Sequence, residues 1–290
     1  MSSGGYVIES TLPDEGVTMK NPHTDETVVS LLQDLRHDII MMAEHSGHVG
    51  VALSCVDILA ALYTEVMNCT PATVNSPDRD RFILSKGHGC MALYAVLART
   101  GFIDRSILKT YGRNGSFLAE HPLAGKITGV ECATGSLGHG LAIGAGMARG
   151  LKLQGIKARV FVLLGDGECN EGSVWEAAAL AGAEPLDNLV ALVDGNGLQA
   201  CGSCADISPG INLSECWKGF GWEVEEADGH DYRELVEVLG RSPVSGKPRV
   251  VLCRTVKGKG VDFMEGDLEW HYRPVRGKER SDALRSLNRA

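Results

Sequence analysis

Val160-Phe-Val-Leu-Leu-Gly-Asp-Gly-Glu-Cys-Asn-Glu-Gly-Ser-Val-Trp175 opens on five apolar residues, turns through Gly165-Asp-Gly167 and enters a helical stretch. A short run with no polar member, bounded by turn residues, reads as a strand buried on both faces. The next such run, Leu189-Val-Ala-Leu-Val193, ends in Asp194-Gly-Asn-Gly197, which places Asn196 thirty residues after Asp166. That interval fits one strand–helix–strand unit, whose right-handed crossover sets the two strands side by side or nearly so. Outward from this unit, Arg81–Ser85, Trp222–Glu225 and Val250–Cys253 read as further strands. Helical stretches at 88–99, 138–154, 172–183 and 231–240 alternate with them. Val28, Leu31, Leu32, Leu35, Ile39 and Met42 recur at helical spacing between Thr24 and about Glu44. Ser54 with Asp57 reads as the N-cap of a second helix running to about Asn68, and 281–289 as one last short helix. The expected class is α/β: a doubly wound, mostly parallel sheet with helices on both faces, in one domain over 23–290. Residues 1–22 show no periodicity and read as a loose N-terminal arm.

Open parallel sheets bind ligands outside the carboxyl ends of their strands. Asp166 and Asn196 both sit at such ends, and a carboxylate with an amide oxygen suits a hard divalent cation such as magnesium or calcium. Gly165 and Gly167 allow a phosphate close to the backbone, and the helix starting near Gly172 adds amide donors. Either turn alone is explained by a capped strand-to-helix connection. Two of them closing neighbouring strands at this interval point to a metal-held diphosphate.

The totals narrow the partners. A formal charge of -9 argues against nucleic acid and against an anionic membrane surface. No apolar run is expected to span a bilayer, and Met1-Ser-Ser-Gly-Gly5 lacks the basic start and apolar stretch of a secretion signal. Nine cysteines, an odd number without such a signal, read as free thiols in a cytoplasmic protein. Cys201-Gly-Ser-Cys204 has zinc-like or redox spacing, but a zinc site needs a second pair. Gly138-His-Gly-Leu-Ala-Ile-Gly144 lacks the preceding strand of a dinucleotide fingerprint and reads as a tightly packed helix start.

The segment Gly165 to Gly197 resembles the thiamine diphosphate signature, and Gly-Asp-Gly-Glu…Glu-Gly-Ser-Val-Trp-Glu-Ala resembles transketolases in particular. The likeness continues through Ser46-Gly-His-Val-Gly50, Asp78 to Gly89, Thr134-Gly-Ser-Leu-Gly138, Asp228-Gly-His-Asp231, Thr255-Val-Lys-Gly-Lys-Gly260 and Trp270-His271, in order. It implies the thiamine diphosphate-binding fold of the diphosphate-type domain. It further implies Asp166, Asn196 and the Leu198 carbonyl as ligands of Mg2+, or of Ca2+ or Mn2+. Lys86, His88, Gly165, Gly167, Lys257 and His271 fall near the diphosphate or the reacting thiazolium, and Gly135 and Leu137 near the aminopyrimidine. Ser136 stands where the family often has Pro.

Of nine histidines, His48, His88, His121 and His271 lie in these motifs. Neutral imidazoles can hydrogen-bond and help deprotonate the hydroxyls of a ketose donor. The resemblance gives His48 and His121 to the donor's hydroxyls, with Glu120 before His121 where many relatives have Gly. His23, His37, His45 and His230 read as structural or surface groups, while His139 is open to either reading. Glu171 matches a glutamate that approaches the catalytic glutamate of a partner's pyrimidine-binding domain. Read alone, it is a helix-start acid favoured by the dipole.

Whole transketolases carry that pyrimidine-binding domain after the one seen here. If the 290 residues are the natural product, a separate polypeptide supplies the catalytic glutamate and the sugar-phosphate-binding arginines. The expectation is therefore one component of a two-polypeptide transketolase, in an α2β2 assembly, moving a two-carbon ketol unit from a ketose or ketose phosphate to an aldehyde. Two alternatives stay open: a specialised ketol transferase of secondary metabolism, and an inactive cofactor-binding regulatory subunit.

Overall fold

The computed structural model describes residues 25–45, 47–244 and 246–289. The expected N-terminal arm, His23 and Ser46 lie outside the described residues. In chain order the helices are α1 (Asp25–Met42), α2 (Val49–Ala61), α3 (Cys90–Arg99), α4 (Gly140–Leu153), α5 (Gly172–Ala183), α6 (Cys204–Ile207), α7 (Leu213–Gly219), α8 (Tyr232–Gly240) and α9 (Gly277–Leu287). The strands are β1 (Arg81–Leu84), β2 (Val160–Gly165), β3 (Leu189–Gly195), β4 (Glu223–Asp228) and β5 (Arg249–Arg254).

All five strands pair in parallel, in the order β1-β2-β3-β5-β4. Successive side chains of a strand point to opposite faces, and the core divides accordingly. Phe161, Leu163, Val190, Leu192 and Val251 face a layer built with α1, α2, α3, α8 and α9. Val160, Val162, Leu164, Ala191, Val193 and Val250 face the layer of α4, α5 and Trp217. The doubly wound sheet expected from the apolar runs is what these strands form, and β2 and β3 are direct neighbours with Gly165 opposite Asp194.

Two expectations fail. Ser54 and Asp57 do not cap a helix: α2 begins at Val49, and both residues lie fully buried in its interior. Their polar atoms are taken by distant partners instead. Ser54 Oγ donates to Asp194, and Asp57 accepts from Arg36 and His230. The second failure is that a run long and apolar enough to span a bilayer does exist, at Val49–Val66. It is apolar on every side because it is the central core helix, 89% buried among its neighbours. The helices α6 and α7 are too short to show a period and are not legible in the sequence.

Candidate active site

The carboxyl ends of four strands deliver the site. Ser85 to His88 follow β1, Gly165 to Glu168 end and follow β2, Asp194 to Leu198 end and follow β3, and Thr255 to Lys257 follow β5. The parallel register aligns Gly165, Asp194 and Cys253 across the sheet, so the loops leave it at one level.

Asp166 and Asn196 are brought together as the crossover argument requires. Asp166 Oδ2 accepts from the Gly197 amide at 2.6 Å, and Oδ1 from the Gly167 amide at 2.8 Å. Asn196 Oδ1 accepts from the Leu198 amide at 3.1 Å. The Leu198 carbonyl is held 3.3 Å from Lys257 Nζ. Burial, and then the charge of Asp194, raise the Asp166 carboxyl above the usual carboxylate value. A cation placed beside it would oppose that shift. Gly167 packs against Gln199 so closely that a Cβ there would lie 2.6 Å from the Gln199 Cγ. No other residue fits that position without displacing the neighbouring loop.

Behind this loop lies a buried carboxylate that the sequence alone presents as a turn residue. Asp194 is fully buried, and its oxygens accept from Ser54 Oγ at 2.5 Å, from Lys86 Nζ, from Thr255 Oγ1 and from Asn196 Nδ2 at 3.2 Å. Burial would push the Asp194 carboxyl up, but the Lys86 ammonium and these donors outweigh it and hold it below its ordinary value. Lys86 in turn is held above the usual lysine value, because Asp194 overcomes the burial that opposes its charge. The Asp194 contact to Asn196 Nδ2 turns the amide oxygen of Asn196 toward the Leu198 side of the loop. The one signal of it in the sequence is an acid closing an otherwise apolar strand.

The four motif histidines converge. The ring of His48 lies 5.2 Å from that of His88, 5.5 Å from His271 and 6.4 Å from His121, and His88 stacks on His271 at 5.4 Å. Burial first, then neighbouring positive groups, lower three of them: His48 to about 4, His88 to about 2 and His271 to about 3. At neutral pH these rings are uncharged. The fold constrains His48 strongly, since it is the one non-glycine residue of positive φ among the described residues, at 65°. A backbone there costs on the order of 1 kcal/mol and persists only when its surroundings enforce it. The His48 amide donates to the His271 carbonyl at 2.9 Å, and Gly47 abuts the Tyr272 backbone with no room for a Cβ. His271 Nδ1 is 2.8 Å from Lys257 Nζ, and the neutral ring accepts from the ammonium.

The loop bearing Gly135 and Leu137 is anchored by Glu168. This buried carboxylate accepts from Ser85 Oγ at 2.5 Å, from the Gly138 amide at 2.8 Å and from the Gly165 amide at 3.1 Å. Gly135 rests on the ring of His121. Glu171 is exposed at the start of α5, beside Gly138.

Other candidate groups fall outside this constellation. His139 is exposed at the start of α4 and His37 and His45 lie at the surface, away from the cluster. His230 is a satisfied structural group bonded to Asp57 and to the Val256 amide. The glycines of 138–144 let α4 lie directly on Ser85 and Val162. The Cys204 amide donates to the Gly197 carbonyl at 2.8 Å, while Cys201 is exposed. Two cavities of about 360 and 280 Å³ lie elsewhere and include none of the expected site residues.

Thiamine diphosphate with a divalent cation fits these residues. Three buried polar atoms at the site, His48 Nδ1, Thr134 Oγ1 and Gln199 Nε2, have no hydrogen-bond partner. Each such atom costs about 1–3 kcal/mol unless a ligand satisfies it. The donor set of one carboxylate, one amide and one carbonyl is hard but carries a single charge, which leaves the cation to be balanced by phosphate oxygens.

Residues 24–287 match the family described as transketolase, thiamine diphosphate binding domain. One of the two subunits of the apulose-4-phosphate transketolase of Actinobacillus succinogenes is 43% identical over 256 residues, covering 87% of this chain and 93% of that protein. The 6-deoxy-6-sulfo-D-fructose transketolase subunit SqwG of Clostridium sp. is 41% identical over 226 residues, 78% of this chain and 82% of that one. Among solved structures, the transketolase from Leishmania mexicana superposes with a TM-score of 0.81 at 29% identity, covering 92% of this chain. This chain spans 41% of the length of that larger protein. With its parallel sheet, its Asp166–Asn196 loop pair and its histidine cluster, the chain belongs to the transketolase family, whose thiamine diphosphate-binding domain it represents.

Proposed function

We propose that this chain is the thiamine diphosphate-binding subunit of a two-polypeptide transketolase, working with a second polypeptide that carries the pyrimidine-binding domain and its catalytic glutamate. Together they transfer a two-carbon ketol unit from a ketose donor to an aldehyde acceptor, as an α2β2 assembly in the cytoplasm. The names of the two relatives describe sugars with an anionic tail, a phosphate in one and a sulfonate in the other. We take the donor here to be a ketose of that class. The partner reading draws support from relatives named as subunits that match over nearly their whole length. It also draws support from the exposed apolar face of α4 and α5, where Ile143 and Leu180 stand 36% and 55% exposed near Glu171.

Asp166, Asn196 and the Leu198 carbonyl would hold the metal, and Lys257, His271 and the Gly167 amide the diphosphate. Bound there, the cofactor supplies a nucleophilic carbon that carries the ketol unit between donor and acceptor. The chain's own residues do the rest. Neutral His48, His88, His121 and His271 offer both a donor and an acceptor nitrogen to sugar hydroxyls, so they orient the substrate and relay its hydroxyl proton. A charged imidazole could only donate. Lys86 and Asp194 neutralise each other behind the loop, leaving the field at the site to Asp166, Lys257 and the bound groups.

The observation carrying this proposal is the convergence of four histidines, three of them held neutral by burial, beside the Asp166–Asn196 loop. An inactive regulatory subunit has no use for it. The test is ketol transfer measured with the chain alone, with the partner polypeptide alone, and with both. Activity in the mixture only supports the proposal. Turnover by the lone chain, or none by the mixture with cofactor and Mg2+, refutes it.

A further inference from the structure

The motif Asp228-Gly-His-Asp231 takes no part in the chemistry above, yet its histidine reaches into the site's support. His230 Nδ1 lies 2.7 Å from Asp57 Oδ2, and the Val256 amide donates to His230 Nε2 at 2.8 Å. A backbone N–H can only donate, so Nε2 is unprotonated and the proton sits on Nδ1, directed at Asp57. Asp57 is fully buried and also accepts from Arg36 Nη2, at 2.8 Å to Oδ1 and 2.6 Å to Oδ2. Arg36 Nε then donates to the Lys259 carbonyl at 3.3 Å. One buried carboxylate thus grips both ends of the segment Val256–Lys259, through His230 at one end and Arg36 at the other.

Lys257 lies between these grips, and its Nζ reaches the Leu198 carbonyl, the Gln199 carbonyl and His271 Nδ1. Its backbone carbonyl accepts from Gly266, and the next amide, Gly258, donates to Gly50. The Val256 amide has only a side chain to hold it, and that side chain is His230. The acids and bases packed around the imidazole are Asp57, Arg36 and its own neighbours Asp228 and Asp231.

We propose that His230, fixed in one tautomer by Asp57, is a positioning residue that aims Lys257 at the cofactor's diphosphate. The proposal rests on the cofactor reading above and adds to it a residue that touches neither cofactor nor substrate. The two nitrogens can be tested separately. An asparagine amide overlays Nδ1, and a glutamine amide overlays Nε2. His230→Asn keeps a donor for Asp57 and drops the Val256 bond. His230→Gln keeps an acceptor for Val256 and drops the Asp57 bond.

Hydrogen–deuterium exchange of the full chain without cofactor should show faster exchange at Val256 in H230N, with H230Q close to wild type. In the complex with Mg2+, thiamine diphosphate affinity should fall roughly 10- to 100-fold in H230N and recover in H230Q. In a Lys257→Met background, H230N should add less than about a twofold loss, because the two substitutions act through one contact. Equal weakening by H230N and H230Q overturns the proposal, since a merely structural histidine tolerates neither change better. So does unchanged Val256 protection, or a full H230N effect persisting in Lys257→Met. If wild type itself binds no thiamine diphosphate, the cofactor reading fails, and the exchange comparison still decides whether His230 holds the loop.

Discussion

Replacing Asp194 by Asn changes one atom at the centre of the site's support, and the structure sets the cost. The substitution keeps the side chain's size, so no cavity opens. What it removes is the counter-charge of Lys86, which is 1% exposed. The ammonium is left with the Val51 carbonyl at 3.3 Å and a neutral amide. Breaking a buried pair in this way costs about 3–5 kcal/mol, mostly as an uncompensated buried charge. That is a large part of the roughly 5–15 kcal/mol by which domains are stable. With a urea slope of about 3 kcal/mol per molar, the unfolding midpoint should fall by about 1–1.7 M. The double variant Lys86→Met with Asp194→Asn removes the stranded charge and should recover at least about 1 kcal/mol of the loss. The sign with pH follows from the depressed Asp194 carboxyl. Its stabilisation is complete above the ordinary carboxylate value of about 3.9 and is lost as pH falls through the lower folded value. Wild type and variant should therefore converge only in strong acid. A shift under about 1 kcal/mol at pH 7, or a double variant no better than the single, refutes the buried pair as the loop's support.

Three further outcomes are expected. Because His48, His88 and His271 titrate below the usual 6.5 when folded, the unfolded chain binds more protons beneath that pH, so stability should fall as pH drops from about 6.5 toward 4. Replacing His271 by Phe should reduce that slope in urea titrations at pH 7 and pH 5, and an unaltered slope would contradict the neutral assignment. Glu168→Ala leaves the Gly138 and Gly165 amides and the Ser85 hydroxyl without their acceptor, so stability should fall by about 2–4 kcal/mol. Exchange in the 134–138 loop should rise with it, and calorimetric unfolding with peptide-level exchange checks both. Glu171→Gln should shift the pH–rate profile of the mixed complex and weaken association of the subunits, since a carboxylate facing the partner's glutamate shares its proton. Unchanged profiles and association would leave Glu171 as a helix-start acid.

Much of the site is readable before the fold because its signals are local. An apolar run that ends in Gly-Asp-Gly, and another that ends thirty residues later in Asn196, place two ligands on neighbouring strands by chirality alone. The histidines announce themselves through short motifs, though only the fold shows that His48 and His271 approach each other from opposite ends of the chain. What escapes depends on distant partners. Ser54 and Asp57 have the spacing of a helix cap, and nothing nearby in sequence reveals that their acceptor and donors lie 140 and 173 residues away. Asp194 reads as a turn residue for the same reason: its value comes from Lys86, 108 residues upstream. Local rules see what a residue can do, while burial decides what it must do.

The most direct measurement is calorimetric titration of thiamine diphosphate into the chain combined with its pyrimidine-domain partner, with Mg2+, with a chelator, and with Asp166→Ala. Asp166 supplies the one charged protein ligand in the candidate metal set, and its loop is otherwise held by backbone amides that the substitution leaves in place. Saturable binding that requires Mg2+ and is lost in Asp166→Ala, with the variant still folded, is the expected result. Binding of equal affinity in the chelator or in the variant would contradict the assignment of this loop as the cofactor's anchor.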